Sequence, residues 1–308
     1  MVRLACWAMN TRFEVALCGE DEAHLTPAGE EALREIQLLD QQLSFFRSDS
    51  DIRALNVYAA TAPMPAEPRL FGLLKRAIAI SEAMEGAFDP TTAPLLRCWG
   101  LAGEGGRLPS EGELRSALDA VGVGHLQLDE ERFTIAFDRE GVMLDLGAIG
   151  KGYALERAAA ILREHEVAGA LIHAGTSSVY GLGAPPGAGA WRIGIRHPTR
   201  PDEQLTTVGL RDRALGVSAP HGRFFVHDGE RYGHVIDPRT GQPVRGALLA
   251  AVAMDSPTDA DALSTALLVL GEPGLRTVAA CCPGAQALVV LEAGSAEPQT
   301  TSIEWEDA

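Results

Sequence analysis

Cysteine, basic charge and long apolar runs are all scarce in this chain of 308 residues, and each scarcity excludes something. The five cysteines, Cys6, Cys18, Cys98, Cys281 and Cys282, are odd in number and scattered. They form no disulfide framework and no CxxC pair for zinc, so a reducing, cytoplasmic setting fits them best. Lysine and arginine number 26 against 42 aspartates and glutamates, a formal charge of −16. That balance argues against nucleic acid or an anionic membrane surface as the main partner. It also means that an anionic ligand must find local positive charge, from a metal ion or from a few basic side chains. No apolar run reaches the ~20 residues of a membrane-spanning helix. Leu4-Ala5-Cys6 looks faintly like a lipoprotein cleavage site, but only five residues precede the cysteine and no basic segment or longer apolar run leads into it. No internal repeat or long linker is visible.

What is present is ordinary globular material, 46% apolar and 22% charged. Helical spacing runs over Thr26–Leu43, Arg69–Met84, Ser110–Val121 (with Glu113 completing a capping box), Tyr153–His165 and Pro257–Leu270. Strand-like stretches include Thr11–Leu17, Leu126–Leu146 with a turn near Arg139–Gly141, Ala170–His173, Ser178–Leu182, Trp191–Arg196, Gln204–Leu210, Ala214–Val217, Arg223–Val226, Tyr232–Ile236, Leu248–Met254 and Ala285–Leu291. Short strands mixed with helices in both halves predict an α+β, or mixed α/β, fold. A single domain over 1–308 is expected, with 293–308 as a loose tail in which Ile303–Trp305 could add one more strand.

Three segments carry possible chemistry. Asp145-Leu-Gly-Ala-Ile-Gly-Lys-Gly-Tyr153 runs from an apolar stretch through a glycine turn into a helix. It gathers backbone N–H groups, a helix N-terminus and an ammonium, which suits a phosphate. Only two residues separate Gly147 from the Gly-Lys pair where a P-loop needs four, and no Ser or Thr follows Lys151, so nucleoside triphosphate hydrolysis of that type is excluded. The residues alone leave open whether these glycines bind phosphate or only make a tight turn. Ser256-Pro-Thr-Asp259 opens a helix on which Asp261 and Thr265, four apart, share a face. A carboxylate and a hydroxyl so stacked can reach a hard cation such as Mg²⁺, or can simply serve the helix. His234-Val-Ile-Asp237-Pro-Arg239-Thr-Gly241 ends a strand in a turn, with His234 as a candidate base and Arg239 as a phosphate contact, although a single histidine there is more often structural. His173 and His221 are weaker candidates.

These pieces occur together and in this order in one family. The chain resembles the FAD:protein FMN transferases, the ApbE-like flavin transferases once associated with thiamine biosynthesis. The resemblance rests on Ser44–Asn56, on Phe88-Asp-Pro-Thr-Thr-Ala-Pro94 with Trp99-Gly100, on Asp145–Tyr153, on Arg231–Pro243 and on Ala260-Asp-Ala-Leu-Ser-Thr-Ala-Leu267. It implies two intertwined subdomains with FAD in the cleft between them. By this similarity Asp261 and Thr265 hold Mg²⁺ together with the Ala148 carbonyl, and His234 and Asp261 are the catalytic positions. Met9-Asn10-Thr11 lines the flavin site, and Asn56, Asp89, Lys151, Glu156, Asp237 and Arg239 line the nucleotide. FMN would pass from FAD to a Ser or Thr hydroxyl of an acceptor protein, with release of AMP.

Two segments depart from the family's pattern. His173-Ala-Gly-Thr176-Ser177-Ser178 stands where Asn-Ala-Gly-Gly-Asp is usual, replacing an acid by hydroxyls at Thr176 and Ser177, where flavin or acceptor contacts are expected. Val217-Ser-Ala-Pro-His221 replaces a Thr-Ser-Gly segment. FAD hydrolysis to FMN and AMP, or FAD binding without turnover, therefore remain alternatives to transfer.

Overall fold

The tip of the first hairpin sets the register of the central sheet. Met9 and Asn10 both take positive φ, 48° and 57°, the two-residue turn whose twist matches that of paired strands. It joins β1 (Val2–Ala8) to β2 (Thr11–Cys18) with Ala8 opposite Thr11. Leu4-Ala5-Cys6 thus lies inside a paired strand. The computed structural model describes residues 1–103, 105–220, 224–294 and 297–307.

After β2 come α1 (Glu22–Leu43), α2 (Asp51–Tyr58), the short β3 (Met64–Pro65), α3 (Pro68–Ala83), α4 (Ala93–Cys98) and α5 (Glu111–Leu118). Helix α1 begins before the predicted Thr26, because Asp21 caps it by accepting from the His24 N–H. The Ser110–Glu113 capping box forms as predicted. Then follow β4 (Leu126–Asp129), β5 (Thr134–Phe137), α6 (Gly150–Glu164), β6 (Gly169–Ala174) and β7 (Ser178–Gly183). The chain continues through β8 (Trp191–Arg196), β9 (Gln204–Leu210), β10 (Arg213–Ser218), β11 (Phe224–His227), β12 (Glu230–Gly233) and β13 (Ala247–Met254). Helices α7 (Pro257–Leu270) and α8 (Pro273–Cys281) precede β14 (Gln286–Leu291) and β15 (Gln299–Ile303). The α+β class is as expected. Within 293–308, expected to be loose, Gln299–Ile303 pairs with β14.

The main sheet has the order β1-β2-β6-β7-β10-β13-β14-β15, every neighbouring pair antiparallel. Helices α1, α6 and α7 pack beside one another, and α7 lies against β10 and β13. The β8–β9 ribbon closes the opposite face through Ile195, Val208 and Leu210. Strand β13, Ala-Leu-Leu-Ala-Ala-Val-Ala-Met, is therefore covered on both sides. Ala250 and Val252 join the helix-side core, while Leu249, Ala251 and Ala253 join the ribbon side, which is why it reads as a continuous apolar run without alternation. A third apolar cluster unites α4, α5 and the β11–β12 hairpin around Leu95, Trp99 and Ile236.

The predicted strand through Leu146 is corrected: β5 ends at Phe137, and residues 142–146 belong to no strand or helix. Their backbone finds other partners. The Asn56 side chain takes both polar groups of Leu144, donating to its carbonyl at 2.9 Å and accepting its N–H at 2.7 Å, and the Asp145 N–H donates to the Pro90 carbonyl at 2.8 Å. A buried segment needs its N–H and C=O groups paired, and a side-chain amide serves as well as a ladder.

Candidate functional site

The glycine turn follows directly from that clamped segment. Asp145 Oδ1 accepts the Gly147 N–H at 2.7 Å, and the Gly150 N–H donates to the Leu146 carbonyl at 2.7 Å. Helix α6 thus starts at Gly150, three residues before the predicted Tyr153, with Lys151 and Gly152 in its first turn. The helix has no side-chain cap from its own N-cap residue, Ile149. A carboxylate from another helix does part of that work: Asp261 Oδ2 accepts the Gly152 N–H at 3.0 Å. An acidic group at a helix N-terminus suits both the unpaired N–H groups and the dipole.

Asp261 belongs to α7, whose start is fixed by Ser256 capping the Asp259 N–H at 3.0 Å and by Pro257 in the first turn. Two glycines let neighbouring backbones close on that first turn. A Cβ on Gly152 would collide with the Pro257 carbonyl oxygen and lie 2.7 Å from Asp261 Cβ; one on Gly216 of β10 would collide with the Ala260 carbonyl and lie 2.9 Å from the Asp261 nitrogen. Asp261 is only 3% exposed, and its Oδ1 accepts the Ser178 hydroxyl at 2.9 Å. Thr265, one turn on, is bonded through Oγ1 to Ser218 at 3.0 Å, and Ser218 also meets Ser264 at 2.9 Å.

Lys151 completes the cluster. Its Nζ donates to the Gly147 carbonyl at 3.0 Å and lies 3.9 Å from Asp261 Oδ1. Oxygens of the turn and of α7 are thus already turned toward one cation. The donor set that the sequence proposes for a divalent ion, the Asp261 carboxylate, the Thr265 hydroxyl and the Ala148 carbonyl, consists of oxygen alone. No group of three or more His, Cys, Asp or Glu side chains gathers among the described residues. Oxygen ligands with a single carboxylate fit Mg²⁺, which usually relies on substrate phosphates for the remainder, better than a thiophilic metal or an all-protein cage.

Over the turn opens a small cavity of about 110 Å³ lined by Met9, Asn10, Asp40, Phe46, Asp145 and Lys151. Asn10 and Phe46 also line a neighbouring cavity of about 430 Å³, walled by Phe224, Phe225 and the glycines Gly100 to Gly106. Phe225 stacks on Tyr232 at 5.1 Å and Tyr232 on Trp99 at 5.6 Å. Phe224 and Phe225 of this wall, and Asp40, which fixes the hairpin tip by accepting the Met9 N–H at 2.7 Å, are not among the residues the sequence marks. Aromatics in a hairpin and an acid in a helix carry no local sign that they face a cavity.

Several predicted nucleotide contacts have their polar atoms engaged elsewhere. Asn56 grips Leu144. Asp89 is 7% exposed and holds its own loop, accepting from the Thr91 N–H at 2.7 Å, the Thr91 hydroxyl at 2.5 Å and the Val123 N–H at 3.1 Å. Burial pushes its carboxyl above the ordinary aspartate range, and the Thr91 and Val123 bonds pull the other way. Glu156 faces α3 and α7: Arg76 donates to its Oε1 at 2.9 Å and the Thr258 hydroxyl to its Oε2 at 2.6 Å, while Arg76 also pairs with Asp259 at 2.6 Å and with Ser256. Burial alone raises the Glu156 carboxyl, but Thr258 and Arg76 hold it below the usual glutamate value. Asp237 forms a two-pronged pair with Arg239, both contacts 2.9 Å. Half-buried His234 follows directly on β12. Thr11 opens β2 beside Gly175, and Thr176 and Ser177 lie in the β6–β7 turn, Thr176 exposed. His173 sits opposite Glu14 on the sheet, 3.9 Å from its carboxylate. His221 lies outside the described residues.

An eight-stranded antiparallel sheet carrying a glycine turn against an Asp-Thr helix defines a class that comparison with known proteins makes specific. The chain belongs to the ApbE family, whose profile matches residues 9–289. It is 32% identical over 285 residues to a protein of Treponema pallidum named FAD:protein FMN transferase, covering 87% of this chain and 78% of that one. The Escherichia coli K12 protein of the same name is 26% identical over 281 residues, 88% of this chain and 78% of its own. Among solved structures, an ApbE protein from Thermotoga maritima superimposes with a TM-score of 0.88 at 32% identity over 96% of each chain. The Pseudomonas stutzeri flavinyl transferase ApbE does so with 0.86 at 30% identity, over 98% of this chain and 94% of that one.

Proposed function

We propose that this chain is a Mg²⁺-dependent FAD:protein FMN transferase. The observation that carries the proposal is the convergence of Lys151, the Gly147 carbonyl and Asp261 at the junction of α6 and α7, within a chain whose relatives bear that name. A protein of charge −16 needs such a local cation site to hold a pyrophosphate. Asp261, Thr265 and the Ala148 carbonyl would hold the metal, which when bound supplies neutralising charge to the phosphate oxygens. Lys151 adds its ammonium to the same anion. Met9, Asn10 and Thr11 face the flavin half of FAD, Thr176 and Ser177 lie toward flavin or acceptor, and Asp237 with Arg239 forms a rigid turn at the nucleotide end. Asn56, Asp89 and Glu156 act from behind the site, through the backbone and helix positions they fix.

The transfer itself needs positioning more than covalent help from the protein. His234 accepts the proton of an acceptor Ser or Thr hydroxyl. That oxygen then bonds to the phosphorus of the FMN half, the bond to the AMP oxygen breaks in line with it, and AMP leaves. The product is a flavin phosphoester on the acceptor. The deciding experiment incubates the protein with FAD, Mg²⁺ and a flavinylation target, following covalent flavin and AMP together. Labelled target with equal AMP supports transfer. AMP without a labelled target would instead identify a pyrophosphatase, and FAD bound without AMP a binding protein.

A further inference from the structure

Ser178, which directly follows Thr176 and Ser177, reaches the centre of the site by donating to Asp261. We infer that Ser178 is a positioning residue for the divalent cation, acting through Asp261; this rests on Asp261 being a metal ligand. Ser178 opens β7, is 2% exposed and sits opposite Gly216 of β10, the same glycine that admits the first turn of α7. The residue before it is tied to the same strand: the Val217 N–H donates to the Ser177 carbonyl at 2.6 Å.

The consequence lies in how Asp261 is held. Each of its two oxygens accepts one protein donor, Oδ2 from the Gly152 N–H at 3.0 Å and Oδ1 from the Ser178 hydroxyl at 2.9 Å. Two donors from different elements fix the plane of the carboxylate, leaving the second lone pair of each oxygen for a cation. Without Ser178 only Gly152 would hold it, and the carboxylate could turn about its last torsion. The Lys151 ammonium, 3.9 Å from the same Oδ1, would then be free to close on it and compete with the metal. Ser218 holds Thr265 in a parallel way, from β10. Both proposed side-chain ligands are thus oriented by hydroxyls on adjacent strands, and outer partners of this kind typically change metal affinity by about 10–100-fold.

The test measures metal binding without turnover. Mn²⁺ binding to purified wild type, Ser178→Ala and Ser178→Cys is followed by electron paramagnetic resonance in the absence of FAD, with apo melting curves recorded alongside. The expected result is Mn²⁺ affinity weakened by about 10–100-fold in Ser178→Ala. The Mg²⁺ midpoint for AMP release should shift in parallel, with kcat recovered at saturating Mg²⁺. Should the alanine variant fail to fold, Ser178→Cys, which keeps a donor at the same position but a weaker one, is expected to show the same loss to a smaller degree. Wild-type Mn²⁺ affinity in a folded variant overturns the role of Ser178 alone, and so does a kcat loss that Mg²⁺ does not restore. A wild-type protein that binds no Mn²⁺ overturns the metal-site reading along with it.

Discussion

The N–H of Gly152 and the carboxylate of Asp261, 109 positions apart in sequence, meet at 3.0 Å, and the meeting requires that residue 152 have no side chain. Gly152→Ala should push α6 from α7, because its Cβ would overlap the Pro257 carbonyl. We expect a loss of about 1–3 kcal/mol in stability from overpacking, together with weakened Mn²⁺ binding. Denaturant melts and metal titration check the two effects separately.

Asn56 is the hinge pin of the glycine turn. Asn56→Ala would leave the Leu144 N–H and carbonyl without their side-chain partner, at a cost of about 1–3 kcal/mol. Because Asp145 and Gly147 follow directly, KM for FAD should rise more than kcat falls. Asn56→Asp can still accept from the N–H but cannot donate to the carbonyl, and should behave like the alanine variant. A stability equal to wild type in both would show that the clamp carries no weight.

His234→Ala tests the base. The expected loss in kcat is about 10²–10⁴-fold, with FAD affinity retained, since the proposed binding groups are Lys151, the metal ligands and the cavity walls. An unchanged kcat would remove His234 from the mechanism.

Glu156 predicts an acid limb in stability. Its folded pKa lies below the ordinary glutamate value because Thr258 and Arg76 outweigh the penalty of burial. The stabilisation is therefore present above about pH 4.3, the unfolded value, and is lost as pH falls through the lower, folded one. Asp89, raised by burial, has the opposite sign: its protonation favours the fold as pH drops. Glu156→Gln should be less stable at pH 7, by about 1–3 kcal/mol for the lost charged hydrogen bonds, and should show a shallower decline below pH 4.5. Melting curves across pH 3–7 read both.

Divalent metal should act on stability as well as on activity. Chelation is expected to stop AMP release, and Mg²⁺ at 100 times its dissociation constant should stabilise the fold by about 2.7 kcal/mol. Asp261→Asn should abolish that thermal shift, while Ser178→Ala should only move it to higher Mg²⁺.

The sequence was most legible where the signal is local. The capping box at Ser110 and Glu113, the strands Trp191–Arg196 and Gln204–Leu210 and the helix Pro257–Leu270 form where their patterns place them. The apolar run before Asp145 reads as a strand in the sequence, since an apolar stretch looks the same whether a ladder or the Asn56 amide pairs its backbone. Strand β1 and helix α8 went unrecognised; β1 is a half-exposed edge whose pairing depends on the hairpin turn after it.

The five motif segments by themselves determined the family, the oxygen chemistry of Asp261 and Thr265, and the presence of an ammonium in the glycine turn, because those features are fixed by residue type and short spacing. Only the tertiary structure decided which groups serve them. Ser178 reaches Asp261 across 83 positions, Asn56 reaches Leu144 across 88, and Glu156 turns toward Arg76 and Thr258. Hydrogen-bond partners act over about 3 Å, and which side chains come that close is set by the packing of β7, β10, α6 and α7 around glycines that no local pattern pairs.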